Sequence, residues 1–354
     1  MIDYIIVGSG LAGIAFAETA LQNNKSVFVF DNQSHNSSSV AAGLYNPVIL
    51  KRFSGLQFAL EHLEIMNQLY DGIEQKLNRQ FRFPMPLLRR FASVEEQNNW
   101  FQASDNPLMK PFLSTNLKSE QFAGLSSPFG FGEVNHTGYV LTKELLVSYR
   151  SFLQEIDSYS NEMFDYDVLQ LNASHVTYKT ISARHIVFAE GFGIHANPFF
   201  RYLPLNGTKG ELLIIHASDL KLDQLVNAGV FFIPLGNGFF KVGATYNWSD
   251  KTETISDEGK AELVKRISEV LECDFKVVEQ FAGVRPTTRD RKPIIGKNAR
   301  FHNMYVLNGL GTRGVMLAPA MAKHLYDLIE TGEPLPKDID IARFSDSYPS
   351  QDGI

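Results

Sequence analysis

The chain has 354 residues, 44% of them apolar, and a formal net charge of −6 at pH 7. That length suits two domains, or one domain interrupted by insertions of another, and the acidic balance gives no global electrostatic reason to expect a nucleic-acid partner. Its one cysteine, Cys273, excludes an intramolecular disulfide and the CxxC or Cys/His spacings of zinc sites, so no metal is expected.

The first residues predict strand, glycine turn, helix and strand at 4–7, 8–13, 14–22 and 27–30, half of a βαβ unit. Met1 leads almost directly into the apolar Tyr4-Ile5-Ile6-Val7, without the basic region and long apolar stretch of a secretory signal. No later stretch is long and apolar enough to span a bilayer, and the expected location is the cytoplasm. From about 55 to 99 the pattern turns helical and polar (Phe58, Leu60, Leu63, Ile65, Met66, Leu69, Ile73, Leu77), which sets it apart from the first sheet. Over 138–153 a short strand precedes an amphipathic helix, with Thr142 as its expected N-cap and Leu145, Leu146, Tyr149, Phe152 and Leu153 on its apolar face.

Strands are expected at 166–171, 175–178 and 185–189, the last ending at Glu190-Gly191-Phe192-Gly193. Segments 211–216, 229–235 and 239–245 alternate or run apolar around Gly236-Asn237-Gly238, the chemistry of antiparallel hairpins. A helical pattern over 256–273 and a strand over 277–284 follow. A strand at 304–307, a glycine-rich turn and a helix from about 316 to 331, closed by Gly332 and Pro334, complete the chain. The fold class is therefore α/β (mixed α+β). A Rossmann-like nucleotide-binding domain (1–54, 136–206 and 285–354) is interleaved with an antiparallel-sheet substrate domain (55–135 and 207–284).

Gly8, Gly10 and Gly13 have the GxGxxG spacing that turns a strand sharply, lets backbone approach a pyrophosphate and packs helix on strand. Asp31 ends the next strand, where an acid would hold ribose hydroxyls, and an acid there argues against the 2′-phosphate of NADP. NAD and FAD both remain open on these residues alone.

Ser37-Ser38-Ser39-Val40-Ala41-Ala42-Gly43-Leu44-Tyr45-Asn46-Pro47 resembles the hydroxyl-rich loop and Ala-Ala-Gly segment of the D-amino-acid oxidase and glycine oxidase family, which runs along the cofactor phosphates and under the flavin. Two further stretches resemble the same family: Ala282-Gly283-Val284-Arg285-Pro286 running on to Pro293-Ile294-Ile295-Gly296, and 309–319 with Gly309-Leu310-Gly311-Thr312-Arg313-Gly314. The middle, from about 55 to 135, matches only in general character. The resemblance implies FAD, bound noncovalently because no cysteine lies in the flavin-facing motifs. It implies cofactor contacts at Gly8, Gly10, Leu11, Ala12, Gly13, Asp31, Asn32, Ser38, Ser39, Ala42, Gly43, Leu44, Val168, Gly191, Gly311, Arg313, Gly314, Val315 and Met316.

The implied activity is that of an amine or amino-acid oxidase or dehydrogenase acting on CH–NH or CH–NH2 groups, with hydride passing to flavin N5 and no side-chain acid or base named. In the resembling oxidases the arginine at the place of Arg285 pairs with the substrate carboxylate, a task that suits the planar guanidinium fork. Arg313 matches a second arginine position near the pocket, and Tyr246 follows a strand where a pocket tyrosine fits. Arg289, Asp290 and Arg291 read as a solvated turn. Backbone N–H groups at 311–316 would face the flavin's pyrimidine edge. The last two motifs are also similar to the flavin domain of the bifunctional tRNA wobble-uridine-modifying enzyme, but its methyltransferase half has no room here and the acidic balance disfavours RNA. A third reading is an FAD-binding protein without turnover.

Overall fold

Tyr4, Ile5, Ile6 and Val7 are all buried, so the strand Ile2–Val7 is covered on both faces, as in the interior of a parallel sheet. It pairs in parallel with Val27–Phe30 on one side and Ile181–Phe188 on the other. Tyr159–Ser160 and Met304–Asn308 extend the parallel set, and Leu169–Leu171, Val176–Tyr178 and Ile294–Lys297 join it antiparallel, giving eight strands. The computed structural model describes residues 1–347; residues 348–354 of the 285–354 segment lie outside the described residues.

Helix Leu11–Gln22 packs against the last helix, Gly314–Thr331, and both pack against Ala59–Leu77. The last helix stops at Gly332, which takes the left-handed conformation at φ 78° that glycine adopts without a Cβ penalty. Phe16 is fully buried edge-on to Tyr4, with ring centroids 5.1 Å apart. Burying such a ring contributes about 1.5–3 kcal/mol.

A seven-stranded sheet stands beside the first, in the order Lys276–Arg285, Thr208–His216, Phe239–Gly243, Val230–Gly236, Leu225–Ala228, Leu87–Arg90, Phe131–Val134. Every pairing is antiparallel except that of Leu225–Ala228 with Leu87–Arg90. Asn237 and Gly238, both at positive φ, make the tight hairpin between Val230–Gly236 and Phe239–Gly243. One face of this sheet buries Leu213, Ile215, Phe232 and Val242 against Leu263 and Ile267 of the helix Asp257–Ser268. Ser256 caps that helix by accepting from the Gly259 N–H at 3.0 Å. The opposite face carries Leu212, Phe231 and Asn227 towards the first sheet.

Three local expectations need correction. Thr142 is the first residue of the helix Thr142–Glu155 rather than its N-cap, because its buried hydroxyl donates to the Ala41 carbonyl at 3.4 Å. The helical reading of 55–99 is broken after Ala59–Leu77 by the strands Arg82–Pro84 and Leu87–Arg90, where Pro84 and Pro86 cannot continue a helix. At 166–171 a 3₁₀ turn comes first, Tyr166–Val168, because Asp165 accepts the Asp167 N–H at 3.0 Å and tightens the chain before the strand Leu169–Leu171.

Candidate active site

A cavity of about 560 Å³ opens between the carboxyl ends of the parallel strands and the near face of the antiparallel sheet. Crevices at this end of an α/β sheet are where such folds bind ligands, and cofactor sites commonly measure about 300–1,000 Å³. Gly8, Gly10, Leu11 and Ala12 form one wall. Gly8 sits at φ 102°, and a Cβ on Gly13 would lie 1.9 Å from the Gly8 carbonyl oxygen, so the turn closes only with glycine at both places. Gly13 thus packs the helix behind the turn and does not line the cavity. Gly10, the N-cap of Leu11–Gln22, supplies no capping side chain, which leaves the helix's first N–H groups at the cavity wall. Among the described residues only the Leu11 N–H meets a side chain there, Ser38 Oγ at 3.3 Å.

Asp31 lines the cavity next to Asn32. Its Oδ2 accepts from the Ser9 N–H at 2.9 Å and from the Ser9 hydroxyl, and its Oδ1 accepts from the Gln33 N–H at 2.8 Å. Behind it lies Arg150, buried on the helix Thr142–Glu155. Its Nε donates to Ser9 Oγ at 2.6 Å, its Nη2 donates to the Ser9 carbonyl at 3.2 Å and sits 3.7 Å from Asp31, and its Nη1 donates to Gln33 at 3.1 Å. Nothing in the local sequence marks Arg150, since its partners lie 117 and 141 residues away. Glu190 also lines the cavity and accepts from the Tyr166 hydroxyl and, at 2.7 Å, from Asn197 Nδ2; burial pushes its carboxyl up to about 7.

Ser38, Ala42, Gly43, Leu44, Gly191, Gly311, Gly314, Val315 and Met316 all border the same cavity. Ser39 does not, and Val168, 38% exposed on the 3₁₀ turn, is turned away from it; Glu162, Phe164 and Tyr166 border it from that segment instead. The turn at Gly311 is tied to Pro286 by an N–H···O bond of 3.0 Å and leads into Gly314–Thr331, whose N-terminus also has no capping side chain. Two helix N-termini therefore meet one cavity.

Arg285 ends the strand Lys276–Arg285 and reaches over Gly210, where a Cβ would come within 1.9 Å of its guanidinium. Its Nη1 donates to the Thr245 carbonyl at 3.2 Å and the Lys209 carbonyl at 3.5 Å, and its guanidinium stacks 4.6 Å from the Tyr246 ring centroid. No carboxylate pairs with it among the described residues. Burial draws its proton affinity down, with Tyr246 opposing. Tyr246 lines the mouth, 58% exposed. Arg313 borders the cavity and donates to the Arg291 carbonyl at 3.4 Å; burial and then Arg291 depress its proton affinity. Arg289, Asp290 and Arg291 lie exposed, with Asp290 paired to Arg343 at 3.2 Å.

One end of the cavity thus presents backbone N–H groups of two helix N-termini, and the other a guanidinium that meets only backbone carbonyls and an aromatic face. The family of FAD dependent oxidoreductases matches residues 3–328, and the chain belongs to it. It is 24% identical to a glycine oxidase of Bacillus subtilis (strain 168), over 94% of each chain. It is 22% identical to the tRNA 5-methylaminomethyl-2-thiouridine biosynthesis bifunctional protein MnmC of Marinobacter nauticus, over 92% of this chain but 55% of that one. The solved structure of glycine oxidase from Geobacillus kaustophilus superposes with a TM-score of 0.73 at 20% identity, over 97% of both chains.

The residues fit the cofactor. Two uncapped helix ends offer N–H groups, and a Cβ on Gly191 would meet nothing within 4 Å, so the wall there is open to a ligand. Among the described residues no helix is long and apolar enough to cross a membrane, and no cluster of His, Cys, Asp or Glu could hold a metal ion.

Proposed function

We propose that the protein oxidises the C–N bond of a small amino acid or secondary amine, of the glycine, D-amino-acid or N-methyl amino-acid type. The observation that carries this reading is Arg285, a cavity-lining guanidinium with only backbone carbonyls and an aromatic face for company. A carboxylate would complete its fork with two charge-assisted hydrogen bonds. The glycine oxidase relative supports the substrate class.

FAD, when bound, supplies the hydride acceptor at N5. Held noncovalently, it would have its diphosphate at Gly10, Leu11 and Ala12, its ribose beside Asp31 and Asn32, and its ring between Ala42–Leu44 and the turn Gly311–Met316. The lone thiol, Cys273, lies away from the cavity, 3.7 Å from the Gly124 carbonyl. Arg285 orients the substrate so that its Cα–H faces the ring, with Tyr246 packed beneath the guanidinium. Arg313 lines the entrance. Fixing the reacting carbon in this way is the protein's main contribution, because hydride transfer from a neutral amine needs orientation more than a side-chain base.

In this reading 1–54, 136–206 and 285–354 hold the cofactor, 55–135 and 207–284 face the substrate, and the enzyme works in the cytoplasm. The strands of the two sheets support that division.

The purified protein is expected to be yellow, and anaerobic addition of a glycine-type or N-methyl amino acid is expected to bleach its flavin absorbance. A colourless protein that takes up no FAD on reconstitution overturns the reading.

A further inference from the structure

The near face of the antiparallel sheet presents one row of side chains across neighbouring strands. Leu212, Gly243, Phe231, Asn227 and Arg89 stand in register from Thr208–His216 to Leu87–Arg90. Leu212, Phe231 and Asn227 line the cavity. Of these three cavity-lining side chains, Asn227 is the polar one.

Its amide is not free to turn. Arg89 Nη1 donates to Asn227 Oδ1, and an arginine can only donate, so the oxygen is fixed on the Arg89 side. Arg89 is itself held by Glu96, whose Oε1 accepts from Nε at 2.9 Å and Nη2 at 2.6 Å. Glu96 Oε2 accepts the Ala92 N–H at 2.7 Å, closing the chain of contacts on backbone. With Oδ1 committed, the Asn227 Nδ2 donor has no acceptor among the described residues.

We infer that Asn227 is a specificity-determining residue: its Nδ2 donates to a hydrogen-bond acceptor at the far end of the substrate, while Arg285 holds the carboxylate. This rests on the amino-acid oxidation proposed above and narrows it. Asn227 and Gly210, over which the Arg285 guanidinium sits, are three strands apart. At about 4.8 Å per strand that is about 14 Å between backbones, so the acceptor lies several bonds beyond the α-carbon, past the apolar surface of Phe231 and Leu212. The substrate class is an amino acid or N-substituted amino acid with an arm ending in a carbonyl or carboxylate, rather than glycine itself. Such a donor discriminates because a substrate lacking the acceptor leaves it buried and unpaired.

Binding of matched carboxylates to the FAD-loaded protein tests this, read from the perturbation of flavin absorbance. Adipic acid monoamide is expected to bind about five- to tenfold tighter than hexanoate of the same length. Asn227→Leu is expected to bring that ratio to about one. Asn227→Asp keeps an oxygen for Arg89 but replaces the donor with an acceptor, so it is expected to favour 6-aminohexanoate over hexanoate. Arg89→Met, which frees the amide to turn, is expected to reduce the ratio without abolishing it.

Equal binding of the matched pair by the unmodified protein overturns the subsite and leaves the oxidase reading standing. A ratio unchanged in Asn227→Leu, or a uniform weakening of both ligands, also overturns it. If no carboxylate perturbs the flavin, the oxidase reading fails and the subsite fails with it.

Discussion

Two arginine environments, one buried and one half-buried, set the two halves of the cavity apart. Arg150, behind the glycine turn, spends its donors on Ser9 and Gln33 and sits beside Asp31, so that region is complete within the chain. Arg285, on the antiparallel sheet, meets two backbone carbonyls and the Tyr246 face, and its charge is unanswered among the described residues. The first arrangement stiffens a wall and the second leaves guanidinium donors unused at the cavity. A cation's burial alone says little about its role; its remaining hydrogen-bond capacity says more.

Substitution of each arginine separates the two roles. Arg285→Met is expected to weaken carboxylate ligands by about 2–5 kcal/mol while FAD content is unchanged, as measured by ligand titration of the flavin spectrum. Lost FAD or a lowered unfolding midpoint in that variant would make Arg285 a structural residue and erase the contrast. Arg150→Met is expected to act the other way. It leaves buried groups of Ser9 without their donors and should cost about 1–3 kcal/mol in chemical unfolding of the cofactor-free protein, with weaker FAD uptake.

The last effect is read against pH, at Glu190, which borders the cavity. Burial raises its carboxyl from 4.5 to about 7, so between those pH values the unfolded chain has lost a proton that the folded protein keeps. Stability from this group is therefore full below pH 4.5 and is lost as pH rises towards 7. Glu190→Gln should flatten that part of the stability profile, and an unchanged slope in urea unfolding between pH 4.5 and 7 would remove Glu190 as its cause.

The same contrast explains what could be read from the chain. The glycine turn, the strands around it and Asp31 were legible because their geometry is local: Gly8, Gly13 and Ser9 meet one another or the next strand within a few tens of residues. Gly236-Asn237-Gly238 announced its hairpin for the same reason. The family resemblance points to Arg285 and the turn at Gly311, and the strand before Tyr246 points to that residue; the structure brings all three to the cavity. Arg150 and Asn227 gave no signal, since their partners are separated by 141 and 138 residues and only the packed sheets bring them close. Val168 faces away from the cavity because a cap at Asp165 turns the chain before the strand Leu169–Leu171 begins. Ser39 lies within the short helix Ser37–Val40, whose cavity side carries Ser37, Ser38 and Val40 instead.

The two helix N-termini that meet at the cavity have a consequence for how ligands arrive. The whole chain carries a net charge of −6, yet two positive helix poles and Arg285 and Arg313 line the cavity alongside the carboxylates Asp31, Glu162 and Glu190. At physiological ionic strength fields from exposed charges fade over about 8 Å, so an anion approaching from solution feels little of either sign until it reaches the mouth. Capture is then a matter of short-range contact rather than long-range guidance, and the site can take in an anionic cofactor without turning the rest of the surface into a general anion trap.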